Sequence, residues 1–172
     1  MDLGDQLNVA ILILRVCIGV TVMAHGLNKV FGGGKLAGTG RWFESMGVKP
    51  GWLHARLAAG TEIGAGILLS IGLLTPFAAA GIIGVMLVAG IVDHRKNGFF
   101  IFRPGEGWEY VSVIGWVCLA IATMGPGGIS VDNAIDFQLD GWWGLVVGGV
   151  IGVGSGAALL ALFWRPPPPK NG

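Results

Sequence analysis

Five stretches of this chain stay apolar for close to the length a helix needs to cross a bilayer, where roughly 20 helical residues span the hydrocarbon. They run from Asn8 to Phe31, Trp52 to Leu74, Phe77 to Val92, Glu109 to Met124 and Trp142 to Trp164. In lipid a backbone has to satisfy its hydrogen bonds within the segment, so each stretch reads as a transmembrane helix. The third and fourth are short, and interfacial residues make up their length. The breaks fall at Thr75-Pro76, where proline cannot continue a helix interior, at the polar run Asp93 to Gly98, at Gly125-Pro126-Gly127-Gly128, and at Arg165 followed by Pro166 to Pro169. Composition agrees. Charged residues are 12% of the chain against about 25% in soluble domains, and hydrophobic residues are 53%. That content excludes disorder. A net charge of +1 excludes nucleic-acid binding, which needs a basic stripe. The 32 glycines follow no G-X-Y period, which excludes collagen.

Positive residues stay on the cytoplasmic side of a membrane, which orients the helices. The first loop and its flanks hold Lys29, Lys35, Arg41, Lys49 and Arg56; the third loop holds Arg95, Lys96 and Arg103; the tail holds Arg165 and Lys170. The N-terminal tail and the second loop have none, and the fourth carries Asp132, Asp136 and Asp140 instead. Five helices with the N-terminus outside and the C-terminus cytoplasmic put every flanking positive charge inside. The N-terminal stretch is not a cleavable signal peptide, because it begins acidic and its apolar run is too long. Arg41 to Met46, with Trp42, Phe43 and the nearby Trp52, reads as a short amphipathic helix at headgroup depth, and Phe99, Phe100, Phe102 and Trp108 form a second interfacial belt.

The fifth helix has Gly144, Gly148, Gly152 and Gly156 on one face, since positions four apart line up. Gly60 and Gly64 repeat the device in the second helix. Such faces let another backbone approach closely in lipid, whether from the same bundle or from a partner subunit docking in the groove.

Ionisable groups inside a membrane are the first functional candidates, because each is costly unless paired or wet. Arg15 lies deep in the first helix, with Asp132 of the fourth loop as its expected ion-pair partner. His25 and Lys29 share a face one turn apart, and Glu62 enters at the same depth from the second helix, within hydrogen-bonding reach of His25. Asp93, His94, Glu109 and Tyr110 gather at the same side. Either these residues snorkel, cap and satisfy one another, or His25, Lys29, Glu62 and Glu109 form a polar pocket able to handle a proton beside a quinone-like headgroup, a role that suits histidine. His25, His54 and His94 match no metal-ligand spacing, so no metal site is assigned. Cys17 and Cys118 read as buried small apolar residues. Gly32-Gly33-Gly34-Lys35 lacks the strand and the Ser/Thr of a phosphate loop, and no nucleophile–base arrangement is present.

With these residues in view, the chain resembles the DoxX family of small bacterial membrane proteins. The resemblance rests on Arg15, His25-Gly26-Leu-Asn-Lys29-Val-Phe-Gly32, Trp42-Phe43-Glu44-Ser-Met-Gly47, Glu62-Ile-Gly64-Ala-Gly66 through Gly72-Leu-Leu-Thr-Pro76, Asn97-Gly98-Phe99-Phe100, Glu109-Tyr110 and Gly125-Pro126-Gly127-Gly128-Ile-Ser-Val-Asp132, in that order. It implies a four-helix membrane bundle associated with redox systems, with relatives that include a membrane subunit of a thiosulfate:quinone oxidoreductase. The expected organisation is therefore a DoxX-like four-helix domain over residues 1–135, with an additional glycine-rich helix and proline-rich tail over 136–172. The expected role is an accessory, non-catalytic subunit of a redox, respiratory or photosynthetic complex in the bacterial cytoplasmic membrane. It would pack through the fifth helix and shape a quinone environment. A quinone-linked enzyme component acting through His25, Lys29 and Glu62, or a small membrane carrier, are the alternatives; no cofactor is fixed by the sequence.

Overall fold

A computed structural model describes residues 2–168, so Pro169 and Lys170 of the expected tail lie outside the described residues. Helix α1 spans Leu3–Phe31, starting earlier than the apolar run because the Asp2 carboxylate caps it by accepting from Asp5 N at 2.8 Å. The interfacial helix, α2, is longer than its aromatic segment and covers Lys35–Ser45. Its Glu44 carboxylate accepts from Gly51 N at 3.0 Å, at the N-terminus of α3, Gly51–Ile71, where a negative charge meets the positive end of the helix dipole. Helix α3 ends at Gly72, whose φ of +68° suits glycine and where a side chain would run into the Arg15 guanidinium.

Helix α4, Thr75–Ala89, carries Pro76 in its first turn and runs on through a π-helical turn at Gly90–His94 and a 3-10 turn at Arg95–Asn97. Helix α5 is Glu109–Met124, and α6 is the short Val131–Ala134. The fifth long helix is built from α7, Gly141–Val146, a π-helical turn at Val147–Ile151 and α8, Gly152–Phe163. Among the described residues three helices are long and apolar enough to cross a membrane: Leu3–Phe31, Thr75–Asn97 and Gly141–Phe163. Glu109–Met124 is a shorter apolar helix. Helix α3 has the length, 21 residues, but carries His54, Arg56 and Glu62.

Helix α1 packs on α3, α3 on α4, and α4 on both α5 and α8. The core lies where α3, α4 and α5 meet, around Leu69, Ala79, Ile82, Cys118 and Ile121, all fully buried. Cys17 is exposed on the outer side of α1, contrary to the expectation of burial, and both cysteines are free thiols. At one end of the bundle Gly128 N donates to Asn8 Oδ1 at 2.6 Å and Asp132 N to the Gly72 carbonyl at 2.8 Å. At the other end Trp164 pairs with Val48 in a β-bridge, its indole donates to the Met46 carbonyl at 3.0 Å, and Arg95 lies over its ring at 5.7 Å. The loops rich in Lys and Arg therefore meet at one end, and the acidic fourth loop closes the opposite one.

The glycine face of the fifth helix is filled from within the chain, which corrects the expected docking groove. A Cβ on Gly144 would overlap the Ala122 carbonyl; one on Gly148 would sit 2.8 Å from Ala122 Cβ. At Gly152 it would be 2.9 Å from the Ala80 carbonyl, and at Gly156 it would be 3.0 Å from the Gly84 carbonyl. The stripe is how the fifth helix comes close to α4 and α5. Gly60 and Gly64, read as the same device, have nothing within 4 Å of their Cβ positions.

Candidate functional site

At the Lys/Arg-bearing end, α1, α2, α3, α4, α5 and α8 enclose a cavity of about 610 Å³. That is within the size range of small-molecule sites, roughly 300–1,000 Å³. Its walls are largely apolar, with Met46, Leu57, Val85, Ile114 and Leu159 among them. Its polar groups are few and come from different helices.

The first polar element is an ion pair between α1 and α3. Gly26 has no room for a side chain, since its Cβ would stand 2.9 Å from Glu62 Cβ, so the helices approach closely at this level. One turn on, Lys29 Nζ donates to both carboxylate oxygens of Glu62, at 2.6 and 2.7 Å. Glu62 is 3% exposed. A charge so buried is retained only with a partner, and Lys29 is that partner. The expected His25–Glu62 hydrogen bond is absent. His25 instead stacks on Tyr110, with ring centroids 6.4 Å apart and planes at 13°.

The second element links α4 to α5. The Tyr110 hydroxyl lies 3.0 Å from His94 Nε2, and His94 Nδ1 lies 3.1 Å from the Glu106 carbonyl. A carbonyl only accepts, so Nδ1 carries a proton, and in the neutral ring Nε2 then accepts from the tyrosine. His94 makes this contact from the last position of the π-helical turn, where it is buried. Asn97 fixes the loop behind it, donating to the carbonyls of Gly105 at 2.6 Å and Glu106 at 3.0 Å. His54 supplies a third polar group. It is 3% exposed and lines the cavity, its ring 4.8 Å from that of Phe163; neither ring nitrogen makes a well-formed hydrogen bond, and the Lys49 backbone is the polar group within its reach.

Four of the residues proposed from sequence reach the cavity or fall short of it in ways the geometry explains. His25, Lys29 and Glu62 line it. Glu109 does not: its carboxylate accepts from Ile101 N at 2.9 Å and holds the α4–α5 loop, while Glu106 lies against the cavity. His94 and Tyr110, placed at the same side from sequence but given no specific role, also belong to the site, and so does His54, which was not counted in the cluster. Among the described residues no three His, Cys, Asp or Glu side chains converge as a metal site would require.

Arg15 and Asp132 are both fully buried at the opposite end, close enough for their charges to attract, but they make no ion-pair contact within 4 Å. Asp132 spends its carboxylate on the start of α4, accepting from Leu74 N at 2.8 Å, Thr75 N at 2.9 Å and the Thr75 hydroxyl at 2.8 Å. A carboxylate is well placed at a helix N-terminus. Arg15 therefore turns to the backbone and donates from Nη2 to the Ile129 carbonyl. Both residues still tie the segment after α5 onto the bundle.

Residues 10–95, half of the chain, match the DoxX family. The chain is 29% identical to the inner membrane protein YphA of Escherichia coli (strain K12) over 136 residues, covering 77% of this chain and 94% of that one. No solved structure matches it. With several long apolar helices beside that likeness, it is a multi-pass protein of the bacterial inner membrane, and the match over half its length makes it a member of the DoxX family.

Proposed function

We propose that this protein binds a membrane-dissolved quinone in the cavity, with the headgroup at the polar cluster and the tail along the apolar wall. The observation that carries this reading is the cavity itself, an apolar chamber of about 610 Å³ with a buried ion pair, a tyrosine–histidine pair and the buried His54 on its walls. Quinone carbonyls accept hydrogen bonds and no more. Lys29, His25 and His54 can donate, and the Tyr110 hydroxyl can turn from His94 to do so. An apolar wall with a few polar groups is the general form of a small-molecule site. Five membrane passes with the N-terminus outside would put this cavity at the cytoplasmic leaflet, because the loops rich in Lys and Arg gather around it. A role as accessory subunit of a redox complex would need a docking face other than the glycine stripe, which α4 and α5 already cover.

The test is binding by the purified chain in detergent, titrated with short-tailed benzoquinone and naphthoquinone and followed by tryptophan quenching, since Trp42 lines the cavity. Saturable binding is expected for at least one. Ala58→Trp, at a lining position, should abolish it, and Tyr110→Phe should weaken it about tenfold. Absence of saturable binding, or binding unchanged in Ala58→Trp, overturns the assignment.

A further inference from the structure

On the other side of α4 from the cavity, a second hollow of about 380 Å³ opens on the outer surface between α4, α5 and the fifth helix. Its floor is shaped by Gly90, Gly115 and Gly149, one from each helix, and two of these glycines belong to the π-helical turns. Along α5 it runs from Trp108 to Leu119, roughly 16 Å at 1.5 Å per residue. Half of a hydrocarbon core of about 30 Å has nearly that depth. The groove thus starts at the Lys/Arg-bearing end and stops near the midplane, the reach of one acyl chain in one leaflet.

The mouth of the groove carries Arg95 beside Trp108. Arg95 is exposed, and among the described residues it has no carboxylate partner; only the Trp164 ring lies beneath it. Its neighbour Lys96 is already engaged with Asp93 at 3.2 Å. Glu109, the nearest carboxylate in sequence to the Trp108 end, is turned to Ile101 N. The one cation at the entrance of an apolar channel therefore lacks an anion, at a depth where tryptophan marks the headgroup region.

We infer that this groove is a binding site for an anionic phospholipid, with one acyl chain lying between α4, α5 and the fifth helix and the phosphate on Arg95. Arginine suits a phosphate, whose oxygens match its planar fork of donors. The acyl chain would fill space that these three helices leave open. The inference is independent of what the larger cavity holds.

The test is native mass spectrometry of the full purified chain titrated with phosphatidylglycerol or phosphatidylcholine of matched chains. One phosphatidylglycerol is expected to bind about fivefold more tightly than phosphatidylcholine, the gain from one basic residue facing an anionic lipid. Arg95→Gln should remove that preference and leave phosphatidylcholine binding unchanged. Gly115→Leu should reduce both lipids at least tenfold, and because no atom lies within 4 Å of the Gly115 Cβ position the larger side chain fits without a clash. Thermal unfolding of both variants in detergent, at the wild-type midpoint, confirms that they fold. Equal affinity for the two lipids in the wild type overturns the proposal. So does a lipid adduct that survives Gly115→Leu, or a stable dimer of the chain that Gly115→Leu dissociates, which would mean a second copy occupies the groove.

Discussion

Lys29 and Glu62 illustrate how far single residues can be read without coordinates. Their shared depth follows from helix periodicity, and so does the placement of His25 and Lys29 on one face. Which of the two reaches Glu62 is decided by Gly26, whose missing side chain sets the spacing of α1 and α3, and spacing between helices is not written in either helix alone. The same reason left the partners of His94 open, since it ends a π-helical turn that no periodicity announces. Arg15 and Asp132 were correctly brought to one end by topology, but the start of α4 outbids the guanidinium for the carboxylate. At this scale the ion pair makes a clear prediction. Lys29→Met leaves Glu62 buried and unpaired and should destabilise the fold by about 3–5 kcal/mol. Lys29→Met with Glu62→Leu should recover most of that loss, as a double-mutant cycle on thermal unfolding in detergent would read. A double variant less stable than Lys29→Met would mean that the pair does not hold the two helices.

Elements were legible to different degrees. The long apolar runs located α1, the extended α4 and the fifth helix, because length and hydropathy suffice for that, but α1 begins earlier at its polar cap and α4 runs on through the polar segment to Asn97. The glycines gave the existence of a close-packed face but not its neighbour, since a small-residue stripe is the same whichever backbone lies against it. The two stripes now separate by measurement. Gly152→Leu puts a branched side chain into the Ala80 carbonyl and Ile83, and should lower stability by about 1–3 kcal/mol or more. Gly60→Leu meets open space and should leave the unfolding midpoint within about 0.5 kcal/mol of wild type in stability. Equal effects at the two positions would mean that the fifth helix does not pack as described.

For the whole molecule, charge distribution predicted the arrangement of the ends better than any local feature, because one rule acts on every loop together. The cavity was not legible at that scale: its walls come from six helices, and only their packing makes it. Sidedness is open to a direct check in a background with Cys17 and Cys118 replaced by Ser and Ala. Ala134→Cys, at the end of α6, should react with a membrane-impermeant maleimide on intact cells, whereas Ser45→Cys should react only after lysis; the reverse pattern would invert the orientation. One contact has a bearing on how such a protein is made. Trp164 and Arg165 close onto Met46 and Gly47, and Ser155, Gly156 and Leu159 form part of the cavity wall. The ribosome delivers the fifth helix, Trp164 and Arg165 after all the other helices of the bundle. During synthesis the earlier helices can insert and pair, but one wall of the cavity is missing until the fifth helix arrives, so the cavity cannot form before that helix has left the ribosome.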